Sequence, residues 1–316
     1  MALDRESKKW LTNLFGKDVK FEELMSKHTS LRVGGPAAAF VKPRNVQSLK
    51  DLINWLWQKQ LSYLIIGDGT NLLVKDRGID GVVIALTRCL KTIAQRKIEN
   101  KEVVVTAMAG ARLQTLCSFA IDHGLEGMNF AIGIPGTVGG GIMMNAGTSR
   151  GTMERVVESI NLLFPEGETL RIKREKLNFS YRKLTWGEGK NDISQGQPVV
   201  LDGCFRLHSS DPEKLKKEAQ TILKTRRERH PNGMPSAGCF FKNPASGKTA
   251  GELIELAGLK GESIGGAEIS QKHGNFIINR HKAKASDFLA LIELVEETIS
   301  KMFNIDLERE VKTVGT

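Results

Sequence analysis

The chain has 316 residues, 40% of them hydrophobic, and a formal net charge of +10. That much apolar material fills more than one core, and the length favours two or three domains. The longest apolar runs, such as residues 82–86, cannot span a bilayer, and no apolar segment follows the first residues. Neither membrane insertion nor secretion is expected, and the cytoplasm is the expected compartment. Cys89, Cys117, Cys204 and Cys239 are scattered without a C-x-x-C pair, which signals neither a zinc site nor a disulfide framework. Positive charge suits nucleic acid and small polyanions alike, but only 6% of residues are aromatic and only two are tyrosines. The stacking surface of a nucleic-acid binder is therefore thin.

Leu49, Leu52, Ile53 and Leu56 recur at helical spacing and predict a helix within 46–60. Residues 63–66 and 72–74 are predicted strands on either side of Gly67-Asp-Gly-Thr-Asn71, and 82–86 and 103–107 are two more. Leu113, Leu116, Cys117, Ala120 and Ile121 form a helical stripe that closes at Gly124. The stretch from Gly133 to Gly147 then places six glycines in fifteen residues, without a charge and among Ile134, Val138, Ile142, Met143 and Met144. Linkers are polar, so here bare backbone enters a packed place, where its N–H groups can close on an anion. The spacing matches neither G-x-G-x-x-G nor a P-loop.

Residues 156–164, 168–173 and 198–207 are predicted strands, and a charged helix follows over 213–229, with Leu215, Ala219, Ile222 and Leu223 on one face. A domain boundary is expected near Asp211. Helices are predicted at 252–259 and 286–303 around a strand at 275–279, and a last strand at 307–314. Strands and helices do not alternate as in a doubly wound sheet, so the class is α+β.

Several clusters occur together in one order. They are Thr29-Ser-Leu-Arg-Val-Gly-Gly35, Gly67-Asp-Gly-Thr-Asn71, Gly133-Ile-Pro-Gly-Thr-Val-Gly-Gly-Gly141 with Met144-Asn-Ala-Gly147, Ser180-Tyr-Arg182, Ser236-Ala-Gly-Cys-Phe-Phe-Lys-Asn-Pro244, Ile264-Gly-Gly266 and Glu310-Val311. The ordered set resembles the UDP-N-acetylenolpyruvoylglucosamine reductases, the FAD enzymes called MurB, over nearly the whole chain. The resemblance implies a two-lobed FAD-binding domain of the vanillyl-alcohol-oxidase type plus a C-terminal α+β substrate domain. The expected division is 1–86 for the first lobe, with a strand in 304–316 returning to it, 87–209 for the second lobe, and 210–303 for the substrate domain.

It also implies non-covalent FAD as cofactor, NADPH as co-substrate and a UDP-sugar substrate in peptidoglycan precursor synthesis, with no nucleic acid and no metal. Cys239 stands where the family places its proton donor, a serine in many members and a cysteine in others, and Arg182 and Glu310 are the other two catalytic positions. Arginine suits a carboxylate that gains negative charge, because its fork bonds both oxygens and stays protonated. The expected FAD contacts are Arg32, Gly34, Gly67, Asp68, Gly69, Thr70, Asn71, Leu72, Pro135, Gly136, Thr137, Gly139, Gly140, Asn145 and Ala146. Lys242, Asn243 and His273 are expected to face the substrate. Arg226, Arg227, Arg229 and His230 form a basic helix end and are read as solvated, outside the site.

The chain departs from the family's usual pattern at Leu184, where serine is common after Tyr-Arg-x, and at Thr70, also usually serine. No tyrosine follows Tyr181, so the chain resembles the shorter subgroup without the tyrosine loop. Two rivals stand beside this reading: a basic nucleotide- or RNA-binding protein that uses the glycine loops without catalysis, and an FAD-dependent oxidase of the same fold acting on another small molecule.

Overall fold

The computed structural model describes residues 3–97, 102–187 and 197–316; the first two residues and parts of the expected second lobe lie outside these. The architecture is α+β, as expected. The first sheet runs Val19–Leu24, Pro36–Val41, Ile79–Ala85, Tyr63–Ile66 in space, and its last two pairings are parallel. Helix Val46–Gln58 makes the crossover, with Leu49, Leu52, Ile53 and Leu56 all buried as their spacing predicts. Asn45 caps it by accepting from Ser48 N–H at 2.8 Å.

The second sheet is antiparallel, in the order Thr169–Lys173, Val157–Leu163, Val199–Ser209, Glu102–Met108, Ile93–Lys97. Helix Leu113–Asp122 leads into it and ends at Gly124, whose φ of +61° makes it the left-handed residue after the cap. The charged helix, Pro212–Arg229, starts at an Asp211 cap. Its Ala219 and Ile222 join the same large core as the second sheet. The change of core therefore falls after this helix, not at residue 210.

The C-terminal sheet runs Ser236–Cys239, Phe276–Asn279, Ala267–Ile269, Ser263–Ile264 and is covered by helix Ala285–Phe303. Its core is built on Phe240, Phe241, Phe288, Leu291 and Ile292, but Leu31, Val33 and Leu73 from the first 86 residues belong to it too. Asp76 strengthens this seam by accepting from Ala285 N–H at 2.8 Å and Ser286 N–H at 3.0 Å, which caps the helix from another part of the chain. The predicted closing strand is shorter than expected: only Lys312–Val314 is extended in a ladder, pairing in parallel with Leu72–Val74. The preceding residues are drawn to Phe240 and Lys242 instead, through Glu310 N–H to Phe240 C=O at 2.7 Å and Lys242 N–H to Glu308 C=O at 2.8 Å. The helix predicted at 252–259 is Ala250–Leu256, set two residues earlier by a capping box between Thr249 and Glu252.

Candidate active site

The loop Gly67–Asn71 faces the glycine stretch across a cavity of about 450 Å³, within the usual range for a small-molecule site. The two loops interlock. Thr70 Oγ1 donates to Pro135 C=O at 3.3 Å, a Cβ on Gly67 would overlap Thr137, and one on Gly136, where φ is +122°, would come within 2.9 Å of Thr70 Oγ1. Gly139 is needed for a different contact, since its Cβ would lie 2.8 Å from that of Ala109. Gly140 is the exposed one, and a Cβ there would meet nothing closer than 3.6 Å. These glycines serve loop packing first. The packing in turn leaves a narrow cleft walled by bare backbone, wide enough for a slender ligand, and this is the form a dinucleotide needs.

The three expected catalytic residues reach the same cavity from different parts of the chain. Arg182 sits in the two-residue turn of the hairpin formed by Leu177–Ser180 and Lys183–Trp186, at φ +59°. A left-handed conformation is uncommon for a side chain of this size and must be held by its surroundings. Asn145 holds the turn, donating to Ser180 C=O at 3.1 Å. Arg182 Nε donates to Glu310 Oε1 at 2.7 Å and Nη1 to Gly147 C=O at 3.4 Å. Burial raises the Glu310 carboxyl above its ordinary value, and the Arg182 charge only partly offsets it. Cys239 ends its strand on the cavity wall, half-buried. Its thiol is pushed up to about 12, by burial first and by Glu310 second, against the pull of Arg182 and Arg226.

Arg226 and His230 are on the wall as well, so the helix end read as solvated contributes to the cavity. Arg226 packs over Gly133, the first glycine of the stretch; a Cβ there would lie 2.8 Å from Arg226 Nε. Among the described residues no carboxylate pairs with Arg226 or with Lys312, which also lines the cavity. Burial lowers the pKa of both. Burial also pushes His230 down to about 4, helped by Arg226, so it is neutral at pH 7. Unpaired buried cations in a cleft are a site for anions.

Asp68, Gly69, Thr70, Asn71, Leu72, Pro135, Thr137 and Ala146 all line the cavity as expected. Six expected contacts do not. Arg32 is exposed at φ +56° away from the wall, and Gly34 is a packing position whose Cβ would lie 2.7 Å from that of Val74. Asn145 is buried and committed to Ser180 and Glu154. Lys242 pairs with Glu308, Asn243 Oδ1 accepts from Ala250 N–H at 3.1 Å, and His273 accepts from Asn275 N–H at 3.2 Å. Arg226 and His230 were legible only as a basic cluster, because their direction depends on where the helix docks.

A glycine-walled cleft between two lobes, with a protonated thiol and an Arg–carboxylate pair at one end, defines a flavin-dependent oxidoreductase that takes FAD. The family model for the FAD binding domain matches residues 37–173, and the model for the UDP-N-acetylenolpyruvoylglucosamine reductase C-terminal domain matches 230–314. The UDP-N-acetylenolpyruvoylglucosamine reductase of Desulfosudis oleivorans is 43% identical over 99% of this chain and 100% of its own. That of Clostridium botulinum is 40% identical over 94% and 93%. The crystal structure of the Thermus caldophilus enzyme superposes with a TM-score of 0.76 at 31% identity, covering 94% of this chain and all of that one. The chain belongs to the UDP-N-acetylenolpyruvoylglucosamine reductase family.

Proposed function

We propose that the protein reduces UDP-N-acetylglucosamine enolpyruvate to UDP-N-acetylmuramate with NADPH as reductant, in the cytoplasm, as a step of peptidoglycan precursor synthesis. The observation that carries this reading is the convergence of Cys239, Arg182 and Glu310 on the cavity that the two glycine loops wall. Non-covalent FAD, held by Gly67–Asn71 and by Pro135–Gly140, supplies the hydride chemistry when bound.

The chain's own groups do the rest. Arg182 has its Nε engaged by Glu310, which aims the guanidinium at the substrate carboxylate, where negative charge grows once hydride has added to the enol ether. Cys239 then gives its proton to the carbon next to that carboxylate. A donor must carry its proton, and a thiol held near 12 does so throughout the neutral range. The thiolate left behind is a strong enough base to recover a proton from solvent. Arg226 and Lys312 supply positive charge for the anionic groups that enter the cavity. The division into lobes 1–86 and 87–209 and a substrate domain 210–303 remains the working assignment, with helix Pro212–Arg229 attached to the second lobe's core.

The purified protein is expected to take up FAD and to oxidise NADPH only when the enolpyruvate is present. Cys239→Ala is expected to slow reoxidation of reduced flavin by substrate by about 10²–10⁴-fold, the usual contribution of a general acid, while Cys239→Ser keeps most of the rate. Substrate-independent NADPH consumption would favour an oxidase, and an alanine variant as fast as the parent would remove Cys239 from the mechanism.

A further inference from the structure

Cys239 owes its direction to an irregular ladder. Ser236 pairs with Ile278 and Cys239 with Phe276, so three residues are spanned on one strand against two on its partner. The extra residue is a bulge, a device that re-aims a side chain. Gly238 supplies its left-handed backbone at φ +84°, with nothing within 4 Å of where a Cβ would stand. Glycine makes the bulge possible but cannot hold it in one place.

Asn275 does hold it. The side chain is 3% exposed, and its Oδ1 accepts from both amides after the cysteine, Phe240 N–H at 3.1 Å and Phe241 N–H at 2.9 Å. Its Nδ2 donates to Phe241 C=O at 2.8 Å. The segment Cys239–Phe241 is thus fastened at three points by one buried amide. Because Glu310 N–H donates to Phe240 C=O at 2.7 Å, the same fastening fixes the thiol relative to the carboxylate. We propose that Asn275 is a positioning residue for proton delivery, holding the bulge so that the Cys239 thiol faces the substrate carbon. This rests on the reading of Cys239 as the donor.

The test is a double-mutant cycle on the substrate half of the reaction alone. Holoenzyme reduced with dithionite under anaerobic conditions is mixed with UDP-N-acetylglucosamine enolpyruvate, and the return of flavin absorbance is timed. Asn275→Ala is expected to slow this step about 10²-fold, the effect of a misplaced reacting group, while flavin content and reduction by NADPH stay at parent levels. In a Cys239→Ala background the same change is expected to cost less than about threefold, because the group it positions is gone. Cys239 alkylation by iodoacetamide, read by mass spectrometry, is expected to speed up in Asn275→Ala as the thiol loses its fixed setting.

Equal slowing in both backgrounds, or slowing of both half-reactions alike, would make Asn275 merely structural and overturn the proposal. Cys239→Ala without effect would instead remove the donor reading, an outcome read on that variant alone. Should the alanine variant lose its flavin, Asn275→Asp serves, since it keeps both acceptor contacts and loses only the bond to Phe241 C=O. Its expected loss is under about tenfold, the worth of one hydrogen bond, and it too should vanish in the Cys239→Ala background; a loss that persists there overturns the proposal.

Discussion

A thiol is a poor choice of acid near its ordinary pKa, because part of it is spent as thiolate at the pH where it must donate. At Cys239 burial and the neighbouring Glu310 remove that loss by raising the pKa to about 12, and the nearby Arg182 and Arg226 do not reverse it. The rate of flavin reoxidation by substrate is therefore expected to stay level from about pH 7 to 9.5, and Cys239→Ser, which does not ionise there, should give the same profile. A fall in the parent alone near the ordinary thiol pKa would contradict the shift. Stability carries the opposite mark. The folded thiol keeps its proton where the unfolded one, near 9.0, gives it up, so this contribution is complete below pH 9 and is lost as pH rises toward the folded value. The melting temperature is expected to fall more steeply above pH 9 in the parent than in Cys239→Ser.

Among the elements, helix Ala285–Phe303 shows how one segment ties the parts together. Its first amides are capped by Asp76, which follows strand Leu72–Val74. Burial of Asp76 alone would raise its pKa, but the Ala285 and Ser286 amides bond the charged form and leave it below the ordinary value. Asp76→Ala removes a cap between distant segments and is expected to cost about 1 kcal/mol, the usual worth of such a cap, read as a lower denaturant midpoint. Because Asp76 is not on the cavity wall, FAD affinity should change little. A large loss of affinity would mean that the seam also shapes the cofactor cleft.

Across the whole molecule, the expected substrate domain is not hung on a linker. Leu31, Val33 and Leu73 complete its core, Asn279 Nδ2 donates to Leu31 C=O at 2.9 Å, and Asn71 Nδ2 reaches Glu310 C=O at 3.1 Å. The cofactor loop and the catalytic carboxylate are thus in direct contact, and ordering one should order the other. FAD at about 100 times its dissociation constant is expected to stabilise the fold by about 2.7 kcal/mol if it binds the folded state alone. The C-terminal residues should gain hydrogen-exchange protection along with the glycine loops. Protection confined to the loops would show that the two are not coupled.

Local order was largely open to reading in the sequence. The helix through Leu49 and Leu56, the strands flanking Gly67-Asp-Gly-Thr-Asn71 and the left-handed Gly124 follow from periodicity and backbone freedom, which are properties of neighbouring residues. Family order placed Cys239, Arg182 and Glu310, and all three do line one cavity. What sequence could not decide is direction. Arg226 reads as one of several cations on a charged helix until that helix is docked over Gly133, and Asn145 reads as a ligand contact until its amide is found holding the Arg182 turn. Asn275 carries no local signal at all, since its partners lie 34 and 35 residues away. The sequence alone determined which elements form and which groups have the chemistry. Only the tertiary structure decided which of them meet, because burial, charge pairing and the orientation of a side chain arise between segments that are remote along the chain.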